Sequence, residues 1–208
     1  MEQPTPADRD LSRLRAALAR PAPDPSSDFD LNAEVAKLLP PNRVLRPAAV
    51  LCPVIARPHG LDVILTRRSS QLKQHPGQVA FPGGKIDATD ADARAAALRE
   101  AEEEIGLPRD AVEILGELPV HETVTGFRMH PFVGLIPPDF VPVPEAGEVE
   151  EAFAVPLAFL TDPANRQVHG RAWRGHVRRY YAMPYGPYYI WGATARVLKS
   201  LSDLTHAH

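Results

Sequence analysis

The whole chain holds a single cysteine, Cys52, which excludes an internal disulfide and a cysteine-built zinc cluster. Cys52 lies in the apolar run RPAAVLCPVIA, Arg46 to Ala56, where a buried structural thiol is expected rather than a nucleophile. No run approaches the ~20 apolar residues that a membrane-spanning helix requires. No secretory h-region follows Met1, so the expected residence is the cytoplasm, with no membrane partner. An excess of positive charge is also lacking. Lys and Arg number 23 against 26 Asp and Glu, a net charge of −3, so general nucleic-acid binding is not expected. Internal repeats are not visible. Proline, in contrast, is plentiful at 23 residues, while the hydrophobic content of 44% is ordinary. That combination predicts many turns rather than disorder, and 208 residues suffice for one sizeable core.

The most informative stretch is Phe81 to Leu107, FPGGKIDATDADARAAALREAEEEIGL. Pro82, Gly83 and Gly84 predict a tight turn bare of side chains, where backbone can approach a ligand or a metal. An alanine-rich helix should follow, with Thr89, Asp90 and Asp92 at its start as cap and dipole partners, stopping at Gly106 before Pro108. Glu100, Glu103 and Glu104 stand at i, i+3 and i+4, so their carboxylates share one helical face. Such an acidic run is ordinarily a solvated face. Stacked like charges repel, however, and a hard divalent cation such as Mg²⁺ would relieve the conflict. Arg99, four residues before Glu103, is placed to orient one carboxylate through a forked hydrogen bond.

The rest of the chain reads as scaffold. Asp10 to Ala19 puts Leu11, Leu14 and Leu18 at helical spacing, an amphipathic helix that packs on the domain or serves as a homodimer contact. Pro21 to Asp28 reads as a linker and Leu31 to Leu39 as a second short helix. Residues 1–44 are thus an extension without evident chemistry, and 45–208 form the main domain. Strands are predicted at Arg46 to Ala56 and Leu61 to Thr66 around a turn at Pro58 to Gly60, then from Gln78 into the glycine turn, and at Val112 to Val120 and Met129 to Ile136. His121 to Arg128 is a loop that could face the site. Glu148 to Leu160 reads as a strand edge and a helical turn, Gln167 to Trp173 with Arg178 to Met183 as a hairpin, and Ile190 to Leu204 as a closing helix. Strands interleaved with few helices indicate an α+β class, an αβα sandwich with a mixed sheet.

FPGGK, the acidic spacer and REAEEEIGL resemble the Nudix box, GX5EX7REUXEEXGU with U an aliphatic residue. Gly84, Arg99, Glu100, Glu103, Glu104, Gly106 and Leu107 fill its fixed positions. The spacer is one residue longer, and Asp87 or Asp90 stands where a glutamate is expected. The preceding ILTRRSSQLKQHPGQVAFPGG, Ile64 to Gly84, resembles the motif LLTXRSX3RX3GX3FPGG of the coenzyme A pyrophosphatase branch. Leu65, Thr66, Arg68, Ser69, Gly77 and Phe81 to Gly84 match it. Ile64 replaces a leucine, and Lys73 replaces an arginine, keeping the charge but not the two-pronged grip. The longer spacer also belongs to this branch, which EVEEAFAVPLAFL and YYIWGATARVL resemble as well.

The resemblance implies a Nudix-like sandwich with a loop-helix-loop. It implies a Mg²⁺- or Mn²⁺-dependent hydrolase that cleaves the diphosphate of coenzyme A or its thioesters to 3′,5′-ADP and 4′-phosphopantetheine or its acylated form. Glu100 and Glu104 are the implied metal ligands, Glu103 a further ligand or the base, the Gly84 carbonyl an added ligand, and Arg99 the group that holds a catalytic carboxylate. A later acid often joins; Glu148 is the candidate, with Glu151 behind it, against the alternative of a solvated loop acid. Arg68 and Lys73, with Gly83 and Phe81 of the turn, are candidate substrate contacts. Neighbouring strand residues point opposite ways, so Arg67 and Arg68 cannot share a site, and Arg68 holds the motif position. His75, His121 and His130 are expected as turn or core histidines, and Trp173, Tyr180, Tyr181 and Trp191 as core aromatics. Two other readings remain. One is a Nudix hydrolase of another nucleoside diphosphate derivative, such as ADP-ribose or a dinucleotide. The other is a silent nucleotide-sensing Nudix domain, against which the intact Glu100, Glu103 and Glu104 speak.

Overall fold

The least polar stretch of the chain becomes its central strand. In the computed structural model, which describes residues 3–21, 23–40, 42–173 and 175–206, the elements run in this order. They are α1 (Pro6–Leu18), β1 (Ser26–Ser27), α2 (Ala33–Ala36), β2 (Arg46–Arg57), β3 (Gly60–Arg68), β4 (Val79–Ala80), β5 (Gly83–Lys85), α3 (Ala93–Ile105), β6 (Glu113–Glu117), β7 (His121–Glu122) and β8 (Phe127–Ile136). There follow β9 (Val149–Pro156), α4 (Leu157–Thr161), β10 (Gln167–Trp173), β11 (His176–Tyr185), β12 (Tyr188–Trp191) and α5 (Ala193–His206). The side chain of Trp173, expected in the core, lies outside the described residues.

Strand β2 is long enough to hold three partners on two edges. Along one edge it runs parallel to β8, from Arg46 opposite Phe127 to Ile55 opposite Ile136. Along the other it pairs antiparallel with β5 over Ala48 to Val50 and with β3 over Val54 to Arg57. The result is a mixed sheet in which β1, β7, β8, β2, β3 and β4 are successive neighbours, with β6 on β8 and β9 on β3. Strands β10, β11 and β12 form a separate antiparallel sheet. Because successive side chains of a strand point to opposite faces, β2 feeds two cores. Ala49, Leu51 and Ile55 pack with Ala97, Ala101 and Ile105 of α3. Val50, Cys52 and Val54 pack with Leu14 of α1, Leu160 of α4 and Leu198 and Leu201 of α5. Helix layers on both faces of a mixed sheet make this an αβα sandwich of the α+β class. Cys52 is wholly buried, and burial pushes its thiol up to about 12.

The N-terminal segment departs from its expected form. Helix α1 begins at Pro6 rather than near Asp10, because Thr5 and Asp8 form a reciprocal capping box. The second helix shrinks to Ala33–Ala36. Asn32 does not cap it; its amide donates to the carbonyls of Asp28 and Arg179 and accepts from the Arg179 N–H. The segment before it is no free linker either, since Ser26 and Ser27 pair in parallel with His121 and Glu122. His121, buried as expected, meets the Ser26 hydroxyl at 2.9 Å.

Candidate active site

The glycine turn and α3 are built to meet. Asp92 starts the helix, its Oδ1 accepting the Ala95 N–H at 2.7 Å, and Gly106 ends it in the left-handed region at φ 68°. Gly83 sits at φ 154°, and a Cβ there would lie 2.5 Å from the Ala49 carbonyl oxygen and 2.6 Å from the Val50 Cα. Only glycine fits. A Cβ on Gly84 would instead lie 2.5 Å from the Glu100 carboxylate, so this backbone carries an acid directly against it. The Gly83 N–H donates to Glu104 Oε2 at 3.3 Å.

The three acids of α3 are not equivalent. Glu104 is 3% exposed, and burial pushes its carboxyl up to about 8 even though the Arg68 guanidinium stands 3.8 Å away. Burial also raises Glu100, against the pull of Arg99. The side chain of Glu103 is 56% exposed and is held by Arg99 Nη1 at 3.0 Å. The Arg99 fork does not close on Glu103, as its spacing suggested. Its Nε and Nη2 grip both oxygens of Asp90 at 2.9 and 3.0 Å, while Nη1 serves Glu100 and Glu103 together. This fork holds the Asp90 carboxyl below the usual range. Of the two spacer acids, then, Asp90 is the one that Arg99 engages most closely; Asp87 lies 3.7 Å off.

A cavity of about 330 Å³ runs up to the glycine turn, lined there by Arg68, Gly83, Gly84 and Lys85 and floored by Ala48, Val50, Phe127 and Met129. Its far wall is Asp28, Thr123 to Thr125 and Arg178. A second cavity, of about 460 Å³, is lined by Arg67, His75, Arg171, Tyr188, Tyr189 and Trp191 among others. Arg67 and Arg68 thus face different spaces, as strand alternation requires. Two expected substrate contacts lie outside these linings. Phe81 is 4% exposed and packs in the core beside Val79. Lys73 is exposed on the turn after β3 and lines neither of these cavities. Trp191 is half-buried and borders both, so it is not a core aromatic. Asp28 and Arg178 were missed altogether.

The NUDIX domain family matches residues 45–173. The chain belongs to that family. It is 45% identical over 157 residues to the protein named "Uncharacterized Nudix hydrolase NudL" of Escherichia coli K12, across 76% of this chain and 81% of that one. The NudL of Enterobacter sp. 638 is 43% identical over the same span. Among solved structures, a NUDIX hydrolase from Alicyclobacillus acidocaldarius is 21% identical with a TM-score of 0.48, covering 80% of this chain and 95% of that one. The chain is a Nudix hydrolase, an enzyme acting on nucleoside diphosphate derivatives.

Nudix hydrolases generally use divalent metal ions. Among the described residues no three His, Cys, Asp or Glu side chains converge into a group that could hold an ion alone. The box fits one in another way. Glu100 and Glu104 are two carboxyls whose ionised forms burial disfavours, and Glu104 also feels the charge of Glu100. Gly84 leaves room for Glu100 at the backbone. A hard cation favours such oxygen donors and fills its remaining positions with water. Glu148 is exposed, and its charge bears on both Glu100 and Glu104. Glu151 is occupied elsewhere, accepting from the Tyr188 hydroxyl at 2.6 Å and pairing with Arg67 at 3.2 Å.

Proposed function

We propose that this Nudix hydrolase cleaves the diphosphate of coenzyme A or its thioesters, using Mg²⁺ or Mn²⁺. The reading is carried by Ile64 to Gly84, the stretch that resembles the coenzyme A branch. Its Arg68 lines the cavity at the glycine turn and stands 3.8 Å from the buried acid Glu104 of the box. The hydrolase occupies 45–208, and residues 1–44 form an extension that closes the cavity through Asp28.

Glu100 and Glu104 would hold the ion, with the Gly84 carbonyl as an added ligand and Glu148 at its open side. The ion, when bound, neutralises phosphate charge and makes water a better nucleophile. Arg99 fixes Glu100 and Glu103 from one nitrogen, so the two carboxylates keep their spacing as charge changes around them. Glu103, the exposed member, accepts the proton of the attacking water. The bare Gly83 and Gly84 backbone lets the phosphates approach, and Arg68 faces them with a guanidinium. Water adds to one phosphorus and the bridging P–O bond breaks, giving 3′,5′-ADP and 4′-phosphopantetheine or its acylated form.

Product analysis with coenzyme A, an acyl thioester, ADP-ribose and diadenosine polyphosphates tests this reading. Coenzyme A or its thioester should give the highest kcat/KM, and EDTA should abolish turnover until Mg²⁺ or Mn²⁺ is restored. A higher kcat/KM for ADP-ribose would overturn the substrate and leave the family untouched.

A further inference from the structure

The far wall of the cavity holds a cation that no motif marks. Arg178 of β11 is 6% exposed and lines the cavity floored by Phe127 and Met129. Its Nε is buried without a hydrogen-bond partner, and among the described residues its guanidinium forms no ion pair within 4.0 Å. A buried guanidinium is tolerated only with compensation, both of its charge and of its hydrogen bonds.

The charge is compensated and the hydrogen bonds are not. Asp28, buried beside it, feels the charge of Arg178. The oxygens of Asp28 are already engaged, one by the Val124 N–H at 2.8 Å and the other facing His121 Nε2 at 3.4 Å. Asn32 ties Asp28 to the neighbouring residue Arg179, fixing this wall across 147 positions of sequence. What remains is a rigidly placed fork of donors in want of oxygen acceptors, opening on a cavity that a ligand can enter.

This cation is separate from the diphosphate end. Arg68 ends β3 and stands 3.8 Å from Glu104, whereas Arg178 lies on β11 of the other sheet, next to Arg179, which Asn32 holds. Coenzyme A carries two anionic groups, the diphosphate and a ribose 3′-phosphate. We propose that Arg178 binds the 3′-phosphate of the substrate and makes this wall a specificity subsite. The assignment rests on the coenzyme A reading and places recognition of this phosphate on a buried arginine of the three-stranded sheet rather than on the exposed Lys73. Thr123 and Thr125 line the same cavity, their hydroxyls bonded to each other at 2.9 Å.

Calorimetric titration of the enzyme with 3′,5′-ADP and with adenosine 5′-monophosphate tests the subsite without turnover. The wild type should bind 3′,5′-ADP about tenfold or more tightly than the monophosphate, the scale of a charge-assisted fork. Equal affinities overturn the proposal with no variant needed. Arg178→Gln should bring the two ligands within about twofold of each other, and Arg178→Lys should restore part of the gap. A thermal melt checks that each variant folds; where Arg178→Gln does not, the lysine variant and the wild-type comparison decide. In turnover, Arg178→Gln should lower kcat/KM for coenzyme A to that for dephospho-coenzyme A while leaving the latter near wild type. Equal losses on both substrates, or no loss, overturn the role of Arg178. A wild-type preference for ADP-ribose would instead overturn the coenzyme A reading.

Discussion

Glu103 and Glu104 are neighbours in sequence and opposites in surroundings. Glu103 lies out at the surface on Arg99, whereas Glu104 is buried against the Gly83 N–H with Arg68 behind it. A helical wheel puts both on one acidic face, but it does not record what the strands bring up to that face. Burial decides the difference. An exposed carboxylate is solvated already, so a metal gains little by meeting it; a buried one is strained by its own charge until a cation arrives.

The largest effect should therefore fall on Glu104. Glu104→Gln is expected to lower kcat by about 10²–10⁴-fold and to remove the rise in melting temperature caused by Mg²⁺ or Mn²⁺. In chelator the same variant should be no less stable than wild type. The folded carboxyl of Glu104 lies at about 8, above its ordinary 4.5, so ionising it disfavours the fold as pH rises through that window. Melts in EDTA at about pH 8 should then favour Glu104→Gln over wild type, and the advantage should vanish near pH 4.5. Glu103→Gln, which removes the proposed base but no buried ligand, should lower kcat by about 10²-fold, the low end of what a general base contributes, and should leave the metal-dependent rise in melting temperature in place. Equal losses at both positions would erase the distinction.

The next contrast sets Gly83 against Gly84. A Cβ on Gly83 meets fixed backbone of β2 at a left-handed φ, so Gly83→Ala should destabilise the fold by about 1–3 kcal/mol in a denaturant melt. The atoms nearest a Cβ on Gly84 are those at the end of the Glu100 side chain, which can move. Gly84→Ala should leave the melt near wild type and lower kcat about tenfold by displacing that carboxylate. Loss of stability in both would show that the turn is scaffold throughout. Arg99→Met should combine the two outcomes, lowering kcat by about 10–10²-fold and weakening the fold, because it strips the partner from Asp90, Glu100 and Glu103 at once.

These contrasts also mark how far the sequence could be read. The turn, the helix with its stop at Gly106 and the separation of Arg67 from Arg68 are local matters of φ, spacing and alternation, and all were legible. The Asp90 fork was half legible, since the spacer offered two acids and only the fold chooses between them. Arg178 and Asp28 were not legible. In HVRRYY an arginine pair reads as a solvated strand face, and Asp28 reads as the end of a linker. The two segments meet where Asn32 bridges to Arg179, a contact that no local period contains. The three-stranded sheet was seen only as a hairpin, because Tyr188–Trp191 is too short to announce itself apart from the helix it leads into.

The smallest effect is expected at the position that the motif marked most plainly for substrate charge. Lys73 occupies the site of a family arginine, and on sequence grounds its neutralisation should weaken coenzyme A binding. It is nevertheless exposed on the turn between β3 and β4 and lines neither cavity, and an exposed charge acts on a distant phosphate only through water and salt. Lys73→Met should therefore change kcat/KM for coenzyme A by less than about twofold at physiological ionic strength, with any loss fading further as salt is raised. Arg178→Gln, assayed beside it, should show the larger and less salt-sensitive loss, because a buried pair is screened far less. The comparison is sharpest at high salt. If Lys73→Met is there the more damaging of the two, the turn must close over the substrate, and charge recognition would belong to the motif rather than to the far wall.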